Sequence, residues 1–249
     1  MDFKGKSVIV TGGGQGIGEG ICENFAKFGA DVAIFDLNME TAGAVSNKLK
    51  EKGVKSIAVK TDVTDLENVN QSVQTVIKEF GTVDILVNNA GYVMPEQSWF
   101  KDEKADYWDK VIDVCYKGVI YCSKAVLDTM IEKKSGKICS IASDAARVGQ
   151  RGQAVYSGAK GGVIAFSKAL AQEVAFYKIN VNCVCPGATR TPGMDTMPKE
   201  MQEKIAKSYL FRRVAEPLDI ANAVCFLCSE YSVYMTGQTL SVSSGYTMI

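Results

Sequence analysis

The sequence has no histidine among its 249 residues and so lacks the side chain most often used for proton transfer near neutral pH. A catalytic triad or a general base built on histidine is therefore excluded. Basic and acidic residues balance at 28 each, and no long block of one sign occurs. We therefore expect neither nucleic acid nor an anionic membrane surface as a partner.

Long hydrophobic runs are also missing. No apolar stretch approaches the roughly 20 residues that cross a bilayer. The first apolar run, residues 7–10, is too short for a secretory signal and ends in glycines. We therefore expect a cytoplasmic protein with no membrane partner.

Cysteine, in contrast, is plentiful. In a reducing cytosol the eight cysteines are expected to be free thiols that pack as small apolar residues. Cys225 and Cys228 form a Cys-x-x-Cys pair, but no second pair and no histidine could complete a zinc site. The pair also lies within an apolar helical pattern, residues 220–227, so we expect no metal.

Short apolar runs alternate with longer amphipathic segments along the whole chain. The runs predict strands over 7–11, 31–36, 54–60, 83–87, 137–141, 179–184 and 239–242. The segments between them predict helices over 16–29, 39–52, 66–80, 105–133, 154–176 and 217–229. Strands apolar on both faces and separated by helices indicate a parallel sheet covered on both sides. We predict an α/β fold: a single doubly wound Rossmann domain, residues 1–249, with about seven strands.

One stretch, residues 186–213, breaks this alternation with prolines and glycines before an amphipathic segment. An insertion of this kind after the carboxyl end of a strand is typical of a lid over a binding site. We call residues 188–213 the lid segment; an ordinary surface loop is the alternative.

The first predicted strand runs into a glycine-rich turn, Thr11–Gly18, that opens a helix. Glycines permit a tight turn and close approach of a pyrophosphate, and the helix N-terminus attracts its charge. Strand, glycines and helix in this order predict dinucleotide binding. The second strand ends at Asp36, whose carboxylate would bind both adenosine ribose hydroxyls and repel a 2′-phosphate. Gln15 offers no positive charge for such a phosphate, so NAD is predicted rather than NADP.

A candidate reactive group lies further along the chain. Tyr156 and Lys160 are four positions apart in a predicted helix and so share one face. An ammonium near the phenol is expected to lower its pKa from about 10 towards the working range of a general base or acid. Such pairs also occur on ordinary amphipathic helices, but Ser143 lies thirteen positions before Tyr156.

Taken together, these motifs resemble the short-chain dehydrogenase/reductase family over nearly the whole chain. The resemblance rests on the Thr11–Gly18 turn, Asp62-Val63, Asn88-Asn89-Ala90-Gly91, Ser143, Tyr156, Lys160 and Pro186-Gly187. It implies that Tyr156 transfers the proton, that Lys160 holds the nicotinamide ribose, and that Ser143 binds the substrate oxygen. Ser140, by strand alternation, is interpreted as a packed neighbour and not as the catalytic serine.

The resemblance also implies a set of cofactor-binding residues. Asp62 and Val63 would border the adenine, Asn88 to Gly91 would line the middle of the cofactor, and Thr189 would meet the carboxamide. The predicted set is Gly12, Gln15, Gly16, Ile17, Gly18, Asp36, Leu37, Asp62, Val63, Asn89, Ala90, Gly91, Tyr156, Lys160, Pro186, Gly187 and Thr189.

The sequence departs from the family pattern at one position. Members usually carry an asparagine in the long central helix, where it completes a proton relay, and that place falls on Cys115. A thiol is a weak hydrogen-bond partner. This departure leaves three alternatives. Either another group or water takes over the relay, or turnover is slow, or the chain is a degenerate partner subunit.

The sequence around Ser143 is similar to that of dehydrogenases that oxidise cyclic or aryl hydroxyacyl-CoA thioesters in anaerobic aromatic degradation. We therefore predict NAD-dependent oxidation of a secondary alcohol, with a ring-bearing β-hydroxyacyl-CoA as the small-molecule substrate. Basic residues beside the lid segment, and Arg147 and Arg151, could hold coenzyme A phosphates, or they form a solvated face. Tyr92, Met94, Trp99 and Tyr209 could wall a ring. The alternatives are a 3-oxoacyl thioester reductase and a partner subunit without turnover. The resemblance implies a homotetramer joined partly through helices 105–133 and 154–176, and assembly with a related chain remains open.

Overall fold

The computed structural model describes residues 1–93 and 98–249. Its strands are β1 (Ser7–Thr11), β2 (Asp31–Asp36), β3 (Ser56–Lys60), β4 (Ile85–Asn88), β5 (Gly136–Ile141), β6 (Ile179–Pro186) and β7 (Thr239–Val242). The helices are α1 (Gly16–Lys27), α2 (Met39–Lys50), α3 (Leu66–Phe80), α4 (Ala105–Ile112), α5 (Gly118–Lys133), α6 (Ala145–Val148), α7 (Ala154–Val174), α8 (Pro192–Asp195), α9 (Lys199–Lys207) and α10 (Pro217–Cys228). Short 3₁₀ turns cover Phe100–Asp102, Ala175–Tyr177 and Glu230–Ser232.

The strands form a single seven-stranded parallel sheet within the described residues, in the order β3-β2-β1-β4-β5-β6-β7. The predicted fold class is therefore confirmed. The chain order reverses between β1 and β4, and in open α/β sheets a crevice forms at the carboxyl ends of the strands at such a reversal.

Alternation along each strand supplies two hydrophobic cores. Val8 and Val10 face the helices α1, α2 and α10, whereas Ile9 faces α3, α5 and α7. Side chains point to opposite faces at successive strand positions, so each strand needs apolar residues throughout. The short apolar runs in the sequence record this double burial.

The predicted helix over 105–133 is one helical run with an irregular middle. Between α4 and α5, residues Asp113–Lys117 form a π-helical turn. Such wide turns occur mostly as single insertions at functional sites. The predicted helical region over 105–133 is therefore present, and its one widened turn was not predicted, because apolar periodicity does not register it.

All eight cysteines are buried free thiols. Cys225 and Cys228 lie on the buried face of α10 and pack in the core against the sheet. Within the described ranges, no group of three or more potential metal-ligating side chains occurs. Of the helices in the described ranges, none has the length and apolarity needed to cross a bilayer.

Candidate active site

A cleft of about 600 Å³ opens at the carboxyl end of the sheet, where the strand order reverses. Ser143 and every residue of the predicted cofactor-binding set line this one cleft. The structure therefore brings together residues that are up to 177 positions apart, from Gly12 to Thr189.

The glycine turn forms the floor of the cleft beside β1. Gly12 and Gly16 have φ angles of 61° and 56°, in the left-handed region that favours glycine. At Gly18 a Cβ atom would lie 2.0 Å from the carbonyl oxygen of Gly12. The turn can close onto the start of α1 only because this position has no side chain.

Helix α1 begins without a side-chain cap, unlike its neighbours. Its N-cap residue, Gln15, has no side-chain hydrogen bond to the first turn. Asn38 and Asp65, in contrast, accept hydrogen bonds from the first turns of α2 and α3. The free N–H groups at the start of α1 face the cleft, and together with the helix dipole they suit a pyrophosphate.

Asp36 is fixed at the end of β2 by two backbone N–H groups. Its Oδ2 accepts from Gly14 at 2.9 Å, and its Oδ1 accepts from Asn38 at 3.0 Å. The carboxylate borders the cleft next to the exposed side chain of Leu37. A fixed negative charge here disfavours a ribose 2′-phosphate.

The loop after β4 is bonded to the glycine turn. The Asn89 amide donates to the carbonyl oxygens of Thr11 and Gly12, both at 2.9 Å. Asn88 differs from the prediction: its buried amide donates to Ser123 and Ser140, away from the cleft. Strand alternation explains this, because Asn88 is the last strand residue and points towards α5, the helix that carries Ser123. Ser140 is buried in the same place, as its position in the strand predicted.

The candidate reactive groups meet on the other wall of the cleft. Helix α7 carries Tyr156, and Ser143, which follows β5, lies near enough to its hydroxyl to influence the pKa of that hydroxyl. One turn later, the buried ammonium group of Lys160 donates to the carbonyl oxygen of Ile141 at 2.6 Å. Three side chains from two elements therefore line one wall.

The pKa of Tyr156 departs from the sequence-based expectation. Burial raises the pKa of its hydroxyl above the usual value, the nearby Cys115 adds to the rise, and the Ser143 hydrogen bond opposes it. A lowered pKa was expected from Lys160, but desolvation disfavours the phenolate more strongly. The sequence pattern gives the spacing of the pair and not the depth at which the hydroxyl lies.

Cys115 lies in the π turn and is fully buried. Its sulfur accepts a hydrogen bond from the Tyr92 N–H at 3.2 Å and donates to the Tyr92 carbonyl at 3.4 Å. The thiol thus holds the loop after β4 by hydrogen bonds to both the backbone N–H and the backbone carbonyl of Tyr92. It is a better-bonded replacement than the sequence alone indicates.

The substrate side of the cleft is less completely described. Met94, one of the predicted wall residues, lies outside the described residues. The guanidinium of Arg151 lies 5.4 Å from the ring centroid of Trp99, and both side chains are exposed. Tyr209 is buried, and its hydroxyl accepts from the Ala188 N–H at 2.6 Å. Of the basic residues near the lid segment, Arg213 pairs with Asp219, whereas Lys204 and Lys207 are exposed on α9.

Several lining residues were not named as cofactor-binding residues from the sequence. They include Thr191, Pro192 and Gly193, at the start of the lid segment, and Val114, in the π turn. The Pro-Gly pair marks a turn, but a turn alone does not tell which side of the chain faces a ligand. The other residues of this kind are Phe35, Thr61, Val93, Ile141 and Ala142.

Comparison with known proteins agrees with this geometry. The family model described as enoyl-(acyl carrier protein) reductase matches residues 12–247. The 3-oxoacyl-[acyl-carrier-protein] reductase FabG of Staphylococcus aureus (strain Mu50) is 37% identical over 244 residues, which is 98% of each chain. The reductase of the same name from Chlamydia pneumoniae is 40% identical over 243 residues, covering 98% of this chain and 97% of the relative.

Solved structures match over the same length. A 3-ketoacyl-(acyl-carrier-protein) reductase from Brucella melitensis complexed with NADH superposes with a TM-score of 0.93 at 32% identity. The match covers 99% of this chain and all of the other. An NAD⁺-bound xylitol dehydrogenase gives a TM-score of 0.92 at 31% identity, over 98% of this chain and 100% of the other.

Proposed function

The chain belongs to the short-chain dehydrogenase/reductase family, and we propose that it is an NAD(H)-dependent oxidoreductase that interconverts 3-oxoacyl and 3-hydroxyacyl thioesters. The observation that carries the proposal is the placement of Tyr156 and Ser143 together in a cleft lined by the glycine turn. It supplies a proton and a hydrogen-bonding site for a substrate oxygen at the same point.

Each of the three polar side chains has a distinct task in this proposal. In reduction, Tyr156 gives its phenolic proton to the oxygen that was the ketone, and in oxidation it takes that proton back. Ser143 donates a hydrogen bond to the same oxygen and stabilises its developing charge. Lys160, held at the Ile141 carbonyl, places a positive charge at the inner end of the cleft.

The cleft residues fit a dinucleotide. The uncapped start of α1 would bind the pyrophosphate, Asp36 the adenosine ribose, and Lys160 the nicotinamide ribose. Bound NADH supplies the hydride for reduction, and NAD⁺ accepts it in oxidation. The charge at Asp36 supports NAD over NADP, and both similar solved structures named above carry an NAD form.

The thioester class follows from the relatives. Those reported above are named as reductases of 3-oxoacyl groups on an acyl carrier protein. They support 3-oxoacyl reduction better than the ring-bearing hydroxyacyl-CoA oxidation predicted from the sequence. The second substrate keeps one observation in its favour: the exposed Trp99–Arg151 pair offers an aromatic face and a guanidinium, which suit a ring and a phosphate.

The test uses purified protein with acetoacetyl-CoA as a defined 3-oxoacyl thioester. We expect NADH oxidation, a much slower reaction with NADPH, and at least a hundredfold loss of rate in Tyr156→Phe, about what a positioned proton donor contributes. Equal rates with Tyr156→Phe would overturn the mechanism. Cyclic and linear 3-hydroxyacyl-CoA esters, supplied with NAD⁺, then rank the two substrate classes.

The cofactor preference has its own variant. Asp36→Ala removes the negative charge and should narrow the gap between NADH and NADPH, mainly through the KM for NADPH. Asp31→Ala, at the opposite end of β2, is the matched control and should leave the gap unchanged. Full activity of the unaltered chain with NADPH would contradict the argument from Asp36.

We propose a homotetramer as the assembly state, formed partly through α4, α5 and α7. Light scattering during size-exclusion chromatography should give a mass about four times 26.9 kDa. A monomer, or a mass that reaches this value only when a related chain is added, would contradict it.

A further inference from the structure

The residue that follows the candidate catalytic serine is a buried carboxylate. Asp144 is 3% exposed, and its Oδ1 accepts a hydrogen bond from the Ser241 hydroxyl at 2.7 Å. Its Oδ2 is buried and has no hydrogen-bond partner among the described residues. Burying a carboxylate with one oxygen unsatisfied costs free energy, so a role other than packing has to be sought.

The direction of the hydrogen bonds around Asp144 can be read from chemistry. A carboxylate only accepts, so the single hydroxyl proton of Ser241 goes to Asp144. Ser241 must then accept from its other two neighbours, the hydroxyls of Ser243 at 2.9 Å and Thr247 at 3.1 Å. One carboxylate thus orients the Ser241 hydroxyl and, through it, two further hydroxyls, both from residues 243–247, which we call the tail.

The tail in turn holds the carboxyl end of the lid segment. Ser244 accepts from the Leu210 N–H through its carbonyl, at 3.3 Å, and from the Phe211 N–H through its hydroxyl, at 2.8 Å. Ser244 does so in the left-handed backbone region, with a φ of 50°, which an ordinary residue adopts only under constraint. The ring of Tyr246 also packs against that of Tyr209, with centroids 5.0 Å apart.

The amino end of the lid segment is bonded to Tyr209, the residue that packs against the tail. The Tyr209 hydroxyl accepts from the Ala188 N–H, which joins the two ends of the segment. Gly187 makes room for this contact, since a Cβ there would lie 2.7 Å from the Tyr209 ring and 3.0 Å from Ser243. The carboxyl end of the lid segment therefore contacts the tail directly, and the amino end contacts it through Tyr209. The tail in turn is joined to Asp144 through Ser241.

We propose that Asp144 is a positioning residue, which fixes the lid segment relative to Ser143 through Ser241 and the tail. Asp144 and Ser143 are consecutive, so any movement of the lid's support is transmitted to the loop that holds the substrate oxygen. The inference rests on the proposed function in so far as the lid segment covers a substrate. Its structural part, the coupling of the lid to Asp144, stands independently of turnover.

Hydrogen exchange measured by mass spectrometry tests the coupling on the intact chain. In Asp144→Ala and in Ser241→Ala we expect amides of the tail and of residues 188–213 to exchange roughly tenfold faster, because local opening becomes easier. Exchange in β1 and α1 should stay as in the unaltered protein. Ser232→Ala, which removes another buried hydroxyl with backbone partners, is the matched control and should leave the lid unchanged.

Two results would overturn the coupling. One is a lid that exchanges at the same rate in Asp144→Ala as in the control. The other is a uniform rise over the whole sheet, which would mean that Asp144 supports the fold in general. The double variant should also exchange little faster than either single variant, since the two residues act through one hydrogen bond.

Kinetics with acetoacetyl-CoA and NADH then test the effect on substrate. We expect Asp144→Ala to raise the KM for acetoacetyl-CoA several-fold while the Kd for NADH stays the same. An unchanged KM with a faster-exchanging lid would overturn the positioning role. If the unaltered chain shows no turnover at all, the proposed function fails, and the exchange result alone decides the coupling.

Discussion

At the scale of single residues, the proposed proton transfer uses the phenol of Tyr156 in place of a histidine. A phenol normally titrates near pH 10, and burial in the cleft raises the pKa of Tyr156 further. The protonated form is therefore the resting form at neutral pH. In the proposed function, that form is the acid which reduction needs.

This state of Tyr156 predicts opposite pH dependences for the two directions. Reduction uses the phenol, which is present below the pKa, so kcat/KM for acetoacetyl-CoA should be level through the neutral range and fall only in strong alkali. Oxidation uses the phenolate, so its kcat/KM should rise about tenfold for each pH unit up to the pKa. Initial rates in both directions over a pH series check this. A reductive rate that falls between about pH 6 and about pH 8 would contradict it.

Cys115 predicts a difference between two cysteine substitutions. Cys115→Ala leaves the N–H and carbonyl of Tyr92 without this side-chain partner, in addition to the cavity, and should cost about 1–3 kcal/mol more than the cavity alone. Cys122→Ala, a buried thiol on α5 in the core, is the control for the cavity. Cys115→Asn offers both a donor and an acceptor and should retain stability and rate. Urea unfolding and turnover measure the effects; equal losses in the two alanine variants would refute the role.

At the scale of elements, the glycine turn and the start of α1 act as one unit. The turn is shaped by positions where a side chain would collide, and the helix start is left uncapped. A side-chain cap can satisfy the first N–H groups of a helix, as it does for α2 and α3 here. The missing cap on α1 therefore leaves an anion site that costs some stability until it is filled.

Gly18→Ala tests this unit. The added Cβ would lie 2.0 Å from the Gly12 carbonyl, so the turn must move, and we expect NADH binding to weaken by at least tenfold. Gly43→Ala is the control, because a Cβ on α2 at that position meets nothing within 4 Å. It should leave binding unchanged and stabilise the helix by up to about 1 kcal/mol. Fluorescence titration with NADH distinguishes the two; an unchanged Kd in Gly18→Ala would contradict the argument.

The helices and strands were predictable from the sequence, whereas several contacts between them were not. Strands and helices were predictable because double burial and helical periodicity leave strong patterns, and their ends differ from the prediction by a residue or two. The lining of the cleft followed from motifs at strand ends. The π turn at Asp113–Lys117 and the partnership of Asp144 with Ser241 were not predictable, since each depends on how one backbone is placed against another. The depth of the Tyr156 hydroxyl, and hence the direction of its pKa, was missed for the same reason.

At the scale of the whole molecule, one sheet connects both cores. Every strand contributes to the layer that holds α1 and α10 or to the layer that holds α3, α5 and α7, and the central strands contribute to both. Loss of the helices on either side would expose one apolar face of the shared strands to water. The two halves of the dinucleotide site, before and after the strand reversal, are thus stabilised together.

We therefore predict that residues 1–249 unfold as one domain. Circular dichroism and tryptophan fluorescence should follow the same transition in urea, as two-state behaviour requires. NADH at a hundred times its Kd should raise the free energy of unfolding by about 2.7 kcal/mol by mass action. Two separate transitions would contradict the single domain. A stabilisation by NADPH as large as that by NADH would contradict the cofactor assignment.

The eight buried thiols give the molecule a built-in reporter of its own opening. They are spread over both core layers and two smaller buried clusters, and burial raises the pKa of several, including Cys22, Cys122 and Cys183. A water-soluble disulfide reagent attacks thiolates, so it should find almost nothing to label in the native state. The order in which the thiols become modified under mild stress would then map, position by position, which part of the molecule lets water in first.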